Sequence, residues 1–230
     1  MFSAVAHDNF ASYYGPTEDT GSPGSKWGWA IQGALSVKAP MLGPGDLFNM
    51  QAVYTDGASR YNFQSLFPTT IGMFGGTGVP GAYQSLGFAA IADAVFVNGS
   101  GLELVKSWGF RGGYAHNWDP YWVTQIYGGY GALDYGPLAT STICLHARAA
   151  LSLTGNCNPD FNVGVVGGNV IWTPVKGLAF TADVSWTKLD QKFDGTINVQ
   201  PPVTFAKPRA TYELKDQDTW TMLLRAQRNF

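Results

Sequence analysis

Hydrophobicity alternates from one residue to the next along several long segments of this chain, and this period of two constrains the fold more than any other feature. Residues 178–189 show it most clearly, because apolar even positions alternate there with mostly polar odd positions: Leu178, Phe180, Ala182, Val184 and Trp186 against Ala179, Thr181, Asp183, Ser185 and Thr187. Residues 219–230 repeat the pattern. Successive side chains of a β-strand point to opposite faces. Each segment therefore predicts a strand with one apolar and one polar face.

Further segments of this kind raise the expected number of strands to about nine or ten. Weaker alternation marks residues 26–38, 46–56, 104–118, 122–134 and 161–173, and residues 88–97 are nearly all apolar. One more strand is needed between Gly57 and Leu86 to keep neighbouring strands antiparallel, and residues 59–67 and 70–77 are both candidates. Most segments exceed the ~5–6 residues usual in soluble sheets and match the ~9–11 residues with which a tilted strand crosses a bilayer.

The composition separates this chain from helical membrane proteins and from ordinary soluble domains. Charged residues make up 13% of its 230 positions, against about 25% in soluble domains. The mean hydropathy is −0.05, and no stretch approaches the ~18 apolar residues of a membrane-spanning helix, which excludes a bundle of such helices. The net charge of −2 argues against a nucleic-acid partner, because phosphate contacts need a basic surface.

The connections between the predicted strands alternate in length. Residues 39–45, 117–120 and 173–177 are short and rich in proline or glycine, whereas residues 57–87, 135–160 and 190–217 are long and polar. Short turns at one end and long loops at the other are typical of outer-membrane barrels. Aromatic residues flank the short turns, where a membrane interface would lie: Trp118, Tyr121, Trp122 and Trp172. We therefore predict one all-β domain over residues 1–230, an antiparallel transmembrane β-barrel; a soluble carbohydrate-binding β-sandwich is the alternative.

Several sequence strings resemble the alphaproteobacterial-type general porin family of the outer membrane. They are SWGFRGGY at 107–114, HNWDP at 116–120, NCNPDF at 156–161, WTPVKGL at 172–178 and RAQRNF at 225–230, which ends in Phe230. The resemblance implies a 16-strand barrel, of which this chain is the C-terminal portion, so that it is N-terminally incomplete and lacks the family's constriction loop. The first residues do not predict a secretion signal, since Asp8 interrupts the first apolar stretch. We expect either that a signal has been removed or that the chain is the C-terminal part of a longer protein.

The resemblance also implies the function and the partners. A porin of this family is a homotrimer in the outer membrane of a Gram-negative bacterium, where outer-membrane lipid surrounds it. Small hydrophilic solutes and ions cross it by passive diffusion, without a cofactor. The alternative within the same fold is a barrel whose lumen is plugged and whose loops act as an enzyme or adhesin.

Strand parity selects the residues that would line such a pore, because charged and polar side chains opposite an apolar face point into the lumen. The charged candidates are Lys26, Asp93, Arg111, Asp183 and Arg225, and the neutral ones are Gln32, Gln51 and Thr181. A midplane arginine facing lipid costs about 2–4 kcal/mol, so an inward position is preferred. These charges either set ion selectivity or pair with one another and fill the lumen.

The cysteines and histidines predict a disulfide and no catalytic centre. Cys144 and Cys157 are the only cysteines, and an oxidising compartment permits a disulfide between them; two unconnected thiols are the alternative. The histidines at positions 7, 116 and 146 lack zinc-ligand spacing, and no nucleophile elbow or phosphate loop occurs. We expect no metal, no catalytic residues and no enzyme activity.

Overall fold

A computed structural model describes residues 1–10, 24–63, 70–97, 99–202 and 206–229. These residues form strands and two helices, with the following bounds in chain order: β1 Phe2–Asn9, β2 Lys26–Lys38, β3 Leu47–Asp56, α1 Arg60–Phe63, β4 Thr70–Gly75, β5 Gln84–Ala90, β6 Ala94–Val97, β7 Gly101–Leu104, β8 Lys106–Asn117, β9 Trp122–Asp134, α2 Pro137–Leu151, β10 Phe161–Val175, β11 Leu178–Gln191, β12 Gly195–Val199, β13 Ala210–Leu214 and β14 Gln217–Arg228. The fold is thus all-β with mostly antiparallel strands. Among the described residues, no helix is long and apolar enough to cross a bilayer.

Eight strands form one antiparallel main sheet in the order β1-β2-β3-β8-β9-β10-β11-β14. Short turns join neighbours at one end, which we call the turn end, and long segments join them at the other, the loop end. The turn between β10 and β11 is the tightest. Gly177 has φ +81° there, and a Cβ on it would lie 2.7 Å from the carbonyl oxygen of Asn229, so this position favours glycine. The predicted alternation of short and long connections is confirmed.

The strand assignment differs from the sequence prediction in several places, and the main sheet has eight strands among the described residues instead of nine or ten. The predicted loop at 190–217 contains β12 and β13. β1 was not predicted. Residues 88–97 do not form one barrel strand, because they divide between β5 and β6, outside the main sheet. Of the two candidates between Gly57 and Leu86, residues 70–75 form the short strand β4, also outside the main sheet, and most of residues 59–67 lie in α1 or outside the described residues. The apolar run at 88–97 reflects burial in a core, where Ala89 and Ile91 are buried, rather than one lipid-exposed face.

The outward face of the main sheet is apolar and exposed along its whole width. Its large side chains include Trp29, Phe110, Ile126, Val166, Val184 and Met222. Trp122, Trp172 and Phe180 form a continuous aromatic stack beside the turn end, with ring centroids 5.8 and 5.6 Å apart. An exposed apolar face of this extent is rare on soluble monomers and marks an interaction with lipid or protein.

The described residues between β3 and β8, which we call the inward segment (57–63, 70–97 and 99–105), pack on the opposite, polar face near the loop end. The inward segment carries α1, the β6–β7 hairpin, and β4 and β5; these two join β12 and β13 in a second sheet, in which β13 and β5 are parallel. Its buried side chains meet those of the main sheet in one hydrophobic core: Phe63, Ala89, Ile91 and Val105 with Leu133, Phe161, Val163 and Leu189. The core of the molecule therefore sits on the polar face.

Candidate pore lining

The polar face below the inward segment forms an open cavity of about 950 Å³. Its polar lining includes Asn49, Gln51, Arg111 and Tyr127, contributed by β3, β8 and β9. Gln51 and Arg111 also line a smaller cavity of about 100 Å³ together with Asn62 and Phe63 of the inward segment. The predicted polar face therefore borders an open cavity whose lining includes polar side chains of three neighbouring strands.

Arg111 and Gln51 form the first polar pair of this cavity. They are opposite each other in the β3–β8 register, and Arg111 Nε donates a hydrogen bond of 3.1 Å to Gln51 Oε1. On its other side Arg111 is opposite Gly129, which leaves space above the sheet. Within the described residues, Arg111 Nη2 and Gln51 Nε2 are buried donors without a protein acceptor. Such donors are costly unless satisfied, and water or an anion in the cavity would satisfy them.

Asp183 is the acceptor of a second polar network. It receives hydrogen bonds of 2.8 and 3.0 Å from the Tyr127 hydroxyl and one of 3.3 Å from Asn169 Nδ2, and Asn169 also donates to Gln125. Tyr127 reaches Asp183 across Gly167, where a Cβ would lie 2.7 Å from the phenol ring. Sequence reasoning missed Tyr127, Asn169 and Gln125, since the parity of these glycine-rich strands is ambiguous. The signal that could have found them is a glycine opposite a large aromatic residue.

Three further predicted lining residues lie on the same face but not in these networks. Thr181 of β11 is opposite Arg225 of β14, and Arg225 is exposed on this outer strand. Gln32 of β2 is partly buried and lies opposite Val53. These positions have the orientation that strand parity predicted, and their role in permeation stays a prediction.

Lys26 and Asp93 lie at the loop end rather than in the middle of the polar face. Lys26 Nζ donates to the carbonyl oxygen of Leu102 in β7 at 3.1 Å. Asp93 lies between β5 and β6, so its predicted place on a barrel strand was wrong. Its carboxylate accepts hydrogen bonds from Ser59 Oγ (2.8 Å) and the Arg60 N–H (3.1 Å). Asp93 therefore links the start of the inward segment, at Ser59 and Arg60, to the residues between β5 and β6.

The two main charges of the polar face are far apart. The row of residues opposite Arg111 runs through Gly129 and Val165 to Thr187, and Asp183 lies four positions further along β11 toward the turn end. Three strand spacings and four residue steps correspond to about 14 and 13 Å, a separation of about 19 Å and thus more than twice the ~8 Å screening length at physiological salt. The ion pairs found within the described residues do not include Arg111, Asp183 or Arg225.

The inward segment contacts the main sheet near the loop end at two glycines, which leave space for its side chains. Asn62 donates to Ser107 Oγ at 3.3 Å, and a Cβ on Gly109 would lie 2.4 Å from Asn62 Oδ1. Phe63 is buried against Gly131, where a Cβ would lie 3.0 Å from its ring. The described part of the inward segment therefore covers the polar face near the loop end, and the absence of the family's constriction loop stays a prediction.

The turn end is fixed by the buried carboxylate of Asp46. It accepts hydrogen bonds from the Tyr114 hydroxyl, from His116 Nδ1 at 2.7 Å and from the Asn117 N–H at 2.9 Å. Burial alone would raise the pKa of Asp46, but these hydrogen bonds and the nearby His116 outweigh it and lower the pKa from 3.8 to about 2. The carboxylate thus stays ionised and holds the turn before β3 against β8.

Cys144 and Cys157 are joined by the predicted disulfide, with their Cα atoms 5.7 Å apart. The bond connects α2 to the segment that leads into β10, so it closes a loop at the loop end. Groups of histidine, cysteine and carboxylate side chains that could hold a metal ion do not occur within the described residues.

Comparisons with known proteins agree with this architecture. The family model of the porin subfamily matches residues 5–223, nearly the whole chain. A search of curated proteins and a search of solved structures each returned no match. Because the family match covers far more than half of the sequence, the chain belongs to the porin subfamily.

Proposed function

We propose that this protein is a channel of the outer membrane of a Gram-negative bacterium, through which small hydrophilic solutes and ions diffuse passively. The observation that carries the proposal is the pairing of an exposed apolar outward face with a polar face that borders an open cavity on the same eight strands. Lipid would cover the apolar face and water would contact the polar face, which is the arrangement expected of membrane barrels.

The side chains of the polar face suit the diffusion of solutes rather than catalysis. Its side chains are mostly neutral hydrogen-bonding groups such as Gln51, Tyr127 and Asn169, which can exchange with the hydration shell of a passing solute. Arg111, Asp183 and Arg225 add fixed charges, and these bias the passage of ions by their electrostatic potential. No step requires a cofactor or an energy source, and the porin family suggests a channel rather than an enzyme.

Assembly follows the family resemblance. The proposed partners are outer-membrane lipid and, in a trimeric arrangement of barrels, neighbouring barrels that cover part of the apolar face. Phe180, Val184 and Met222 are exposed residues that suit either contact.

One observation favours a second candidate, a barrel that acts through its loops with a plugged lumen. The inward segment brings its own hydrophobic residues onto the polar face near the loop end and narrows the route there. The cavity of about 950 Å³ below it favours a constricted channel over a complete plug. A soluble β-sandwich is disfavoured, because Trp220, Met222 and Leu224 would be exposed to water.

Fractionation and liposome swelling together test the proposal. The protein should stay in the membrane pellet until detergent is added, and liposomes that contain it should swell in an isosmotic pentose solution but slowly in a large oligosaccharide. Protein unfolded before reconstitution is the control. Release without detergent would refute the membrane location, and membrane-bound protein without swelling would favour the plugged barrel.

A further inference from the structure

We infer that Arg111 and Gln51 form a weak binding subsite for short-chain monocarboxylates, such as acetate and propionate, in the lumen of the channel. This inference rests on the proposed channel and adds a class of solute that it recognises. It starts from two hydrogen-bond donors, Arg111 Nη2 and Gln51 Nε2, which are buried and have no acceptor within the described residues. Buried donors are costly to leave unsatisfied, and the guanidinium is always charged.

The two donors lie close together because one hydrogen bond joins the groups that carry them. Arg111 Nε donates to Gln51 Oε1 at 3.1 Å, and the two residues are opposite each other in the β3–β8 register. Nη2 belongs to the same planar guanidinium and Nε2 to the same planar amide, so both donors lie beside this hydrogen bond. An anion with two oxygens can accept from both, as a carboxylate does from the fork of an arginine.

The cavity next to these donors is mostly apolar in the rest of its lining. It has a volume of about 100 Å³, and Val53, Phe63, Val163 and Val165 line it. This volume exceeds the ~10–15 Å³ that one water molecule needs and suits an alkyl group of a few carbon atoms. Contact with these residues would remove the alkyl group of a small organic acid from water, a contribution that a halide ion lacks. The site therefore favours a carboxylate with a short apolar chain.

The charges around the cavity favour an anion with one negative charge. Arg111 is the one charged residue among the described residues that line it, so a single negative charge neutralises the site. A dianion such as sulfate would bring a second charge into mostly apolar surroundings at a cost in desolvation. One cation beside an open cavity makes a weak site, and a channel needs sites that an ion can leave.

Saturation-transfer NMR of the protein refolded in detergent tests this inference, because the method detects weakly bound and rapidly exchanging ligands. The probe is propionate, with n-propanol as its uncharged counterpart and protein-free micelles as the blank. We expect transfer to the propionate protons that acetate suppresses by competition and that sulfate at equal ionic strength does not. Equal transfer to propanol and propionate would indicate apolar partition alone and would overturn the inference, as would no transfer to propionate above the blank.

The variant Gln51→Glu tests the role of the two donors. It places a carboxylate of the chain itself beside Arg111, so it removes one donor and adds a repulsive charge. We expect propionate to bind about tenfold more weakly or worse, which is the effect of losing one hydrogen bond to a charged group. Gln227→Glu is the matched control, because it makes the same change in charge at the turn end of β14, four strands from β8. Equal binding in both folded variants would overturn the inference.

The comparison of propionate with propanol uses the native chain, so it decides the inference even if Gln51→Glu does not fold. Liposome swelling separates the inference from the proposed function. A protein that admits a pentose but does not bind propionate would overturn the inference alone. A protein that binds propionate but leaves the liposomes unswollen would contradict the proposed channel.

Discussion

Removing the charge of Arg111 should lower the preference of the channel for anions by about fivefold. An ion that passes about 5 Å from the guanidinium in the water-filled cavity interacts with it by about 0.8 kcal/mol at the dielectric constant of water. Screening at 0.1 M salt reduces this to about 0.5 kcal/mol. The anion loses this attraction and the cation loses an equal repulsion, so the permeability ratio changes by a factor of about 5.

The assay is the reversal potential across a planar bilayer under a KCl gradient, for the native chain and Arg111→Ser. Lys188→Ser is the matched control, because Lys188 follows the parity of Trp186 on the outward face of β11 and its loss should leave the ratio nearly unchanged. The shift should shrink in 1 M salt, where the screening length falls to ~3 Å. An unchanged ratio for Arg111→Ser, or an equal change in both variants, would refute the assignment of Arg111 to the lumen.

Three further predictions concern the inward segment, the turn end and the disulfide. Gly109→Val should loosen the inward segment, because its Cβ meets Asn62 and the Tyr130 carbonyl oxygen; we expect faster proteolysis within residues 57–105 and higher conductance, whereas Gly33→Val, which has open space, should change neither. The Asp46 carboxylate should contribute stability above about pH 4 that is lost as the pH falls toward 2, since its folded pKa is lowered to about 2; the difference in thermal unfolding temperature between the native chain and Asp46→Asn should therefore close in that range, and a constant difference would contradict it. Replacing both Cys144 and Cys157 by serine should destabilise the loop end by up to about 3 kcal/mol in denaturant unfolding, and alkylation of two thiols in native, unreduced membranes would contradict the disulfide.

The long strands of the main sheet could be predicted because their side chains alternate between an apolar and a polar face, and this alternation is visible in the sequence. β11 and β14 show this most clearly, and β2, β3 and β8 follow. β1 escaped detection because it is short and its apolar face ends in Asp8. The run at 88–97 was misassigned because an apolar run does not show which sheet a strand joins. Its residues divide between β5 and β6, outside the main sheet, and Ala89 and Ile91 belong to the hydrophobic core on the polar face.

The candidate site was predictable only where a residue sits on a regular strand. Parity placed Arg111 and Asp183 correctly on the polar face, because their strands extend without interruption from the loop end to the turn end. It failed for Asp93, since parity has no meaning outside a strand. The Tyr127 network and the contact of Asn62 with Gly109 depend on which strands become neighbours, and a single sequence does not contain that information.

The central claim, that this chain forms a water-filled channel, is tested most directly by planar-bilayer recording of the detergent-refolded protein. The account predicts discrete, long-lived conductance steps that grow in proportion to salt concentration and change in selectivity in Arg111→Ser. A protein that is folded, as judged by its β-sheet circular dichroism, and inserted in the bilayer but electrically silent would contradict it.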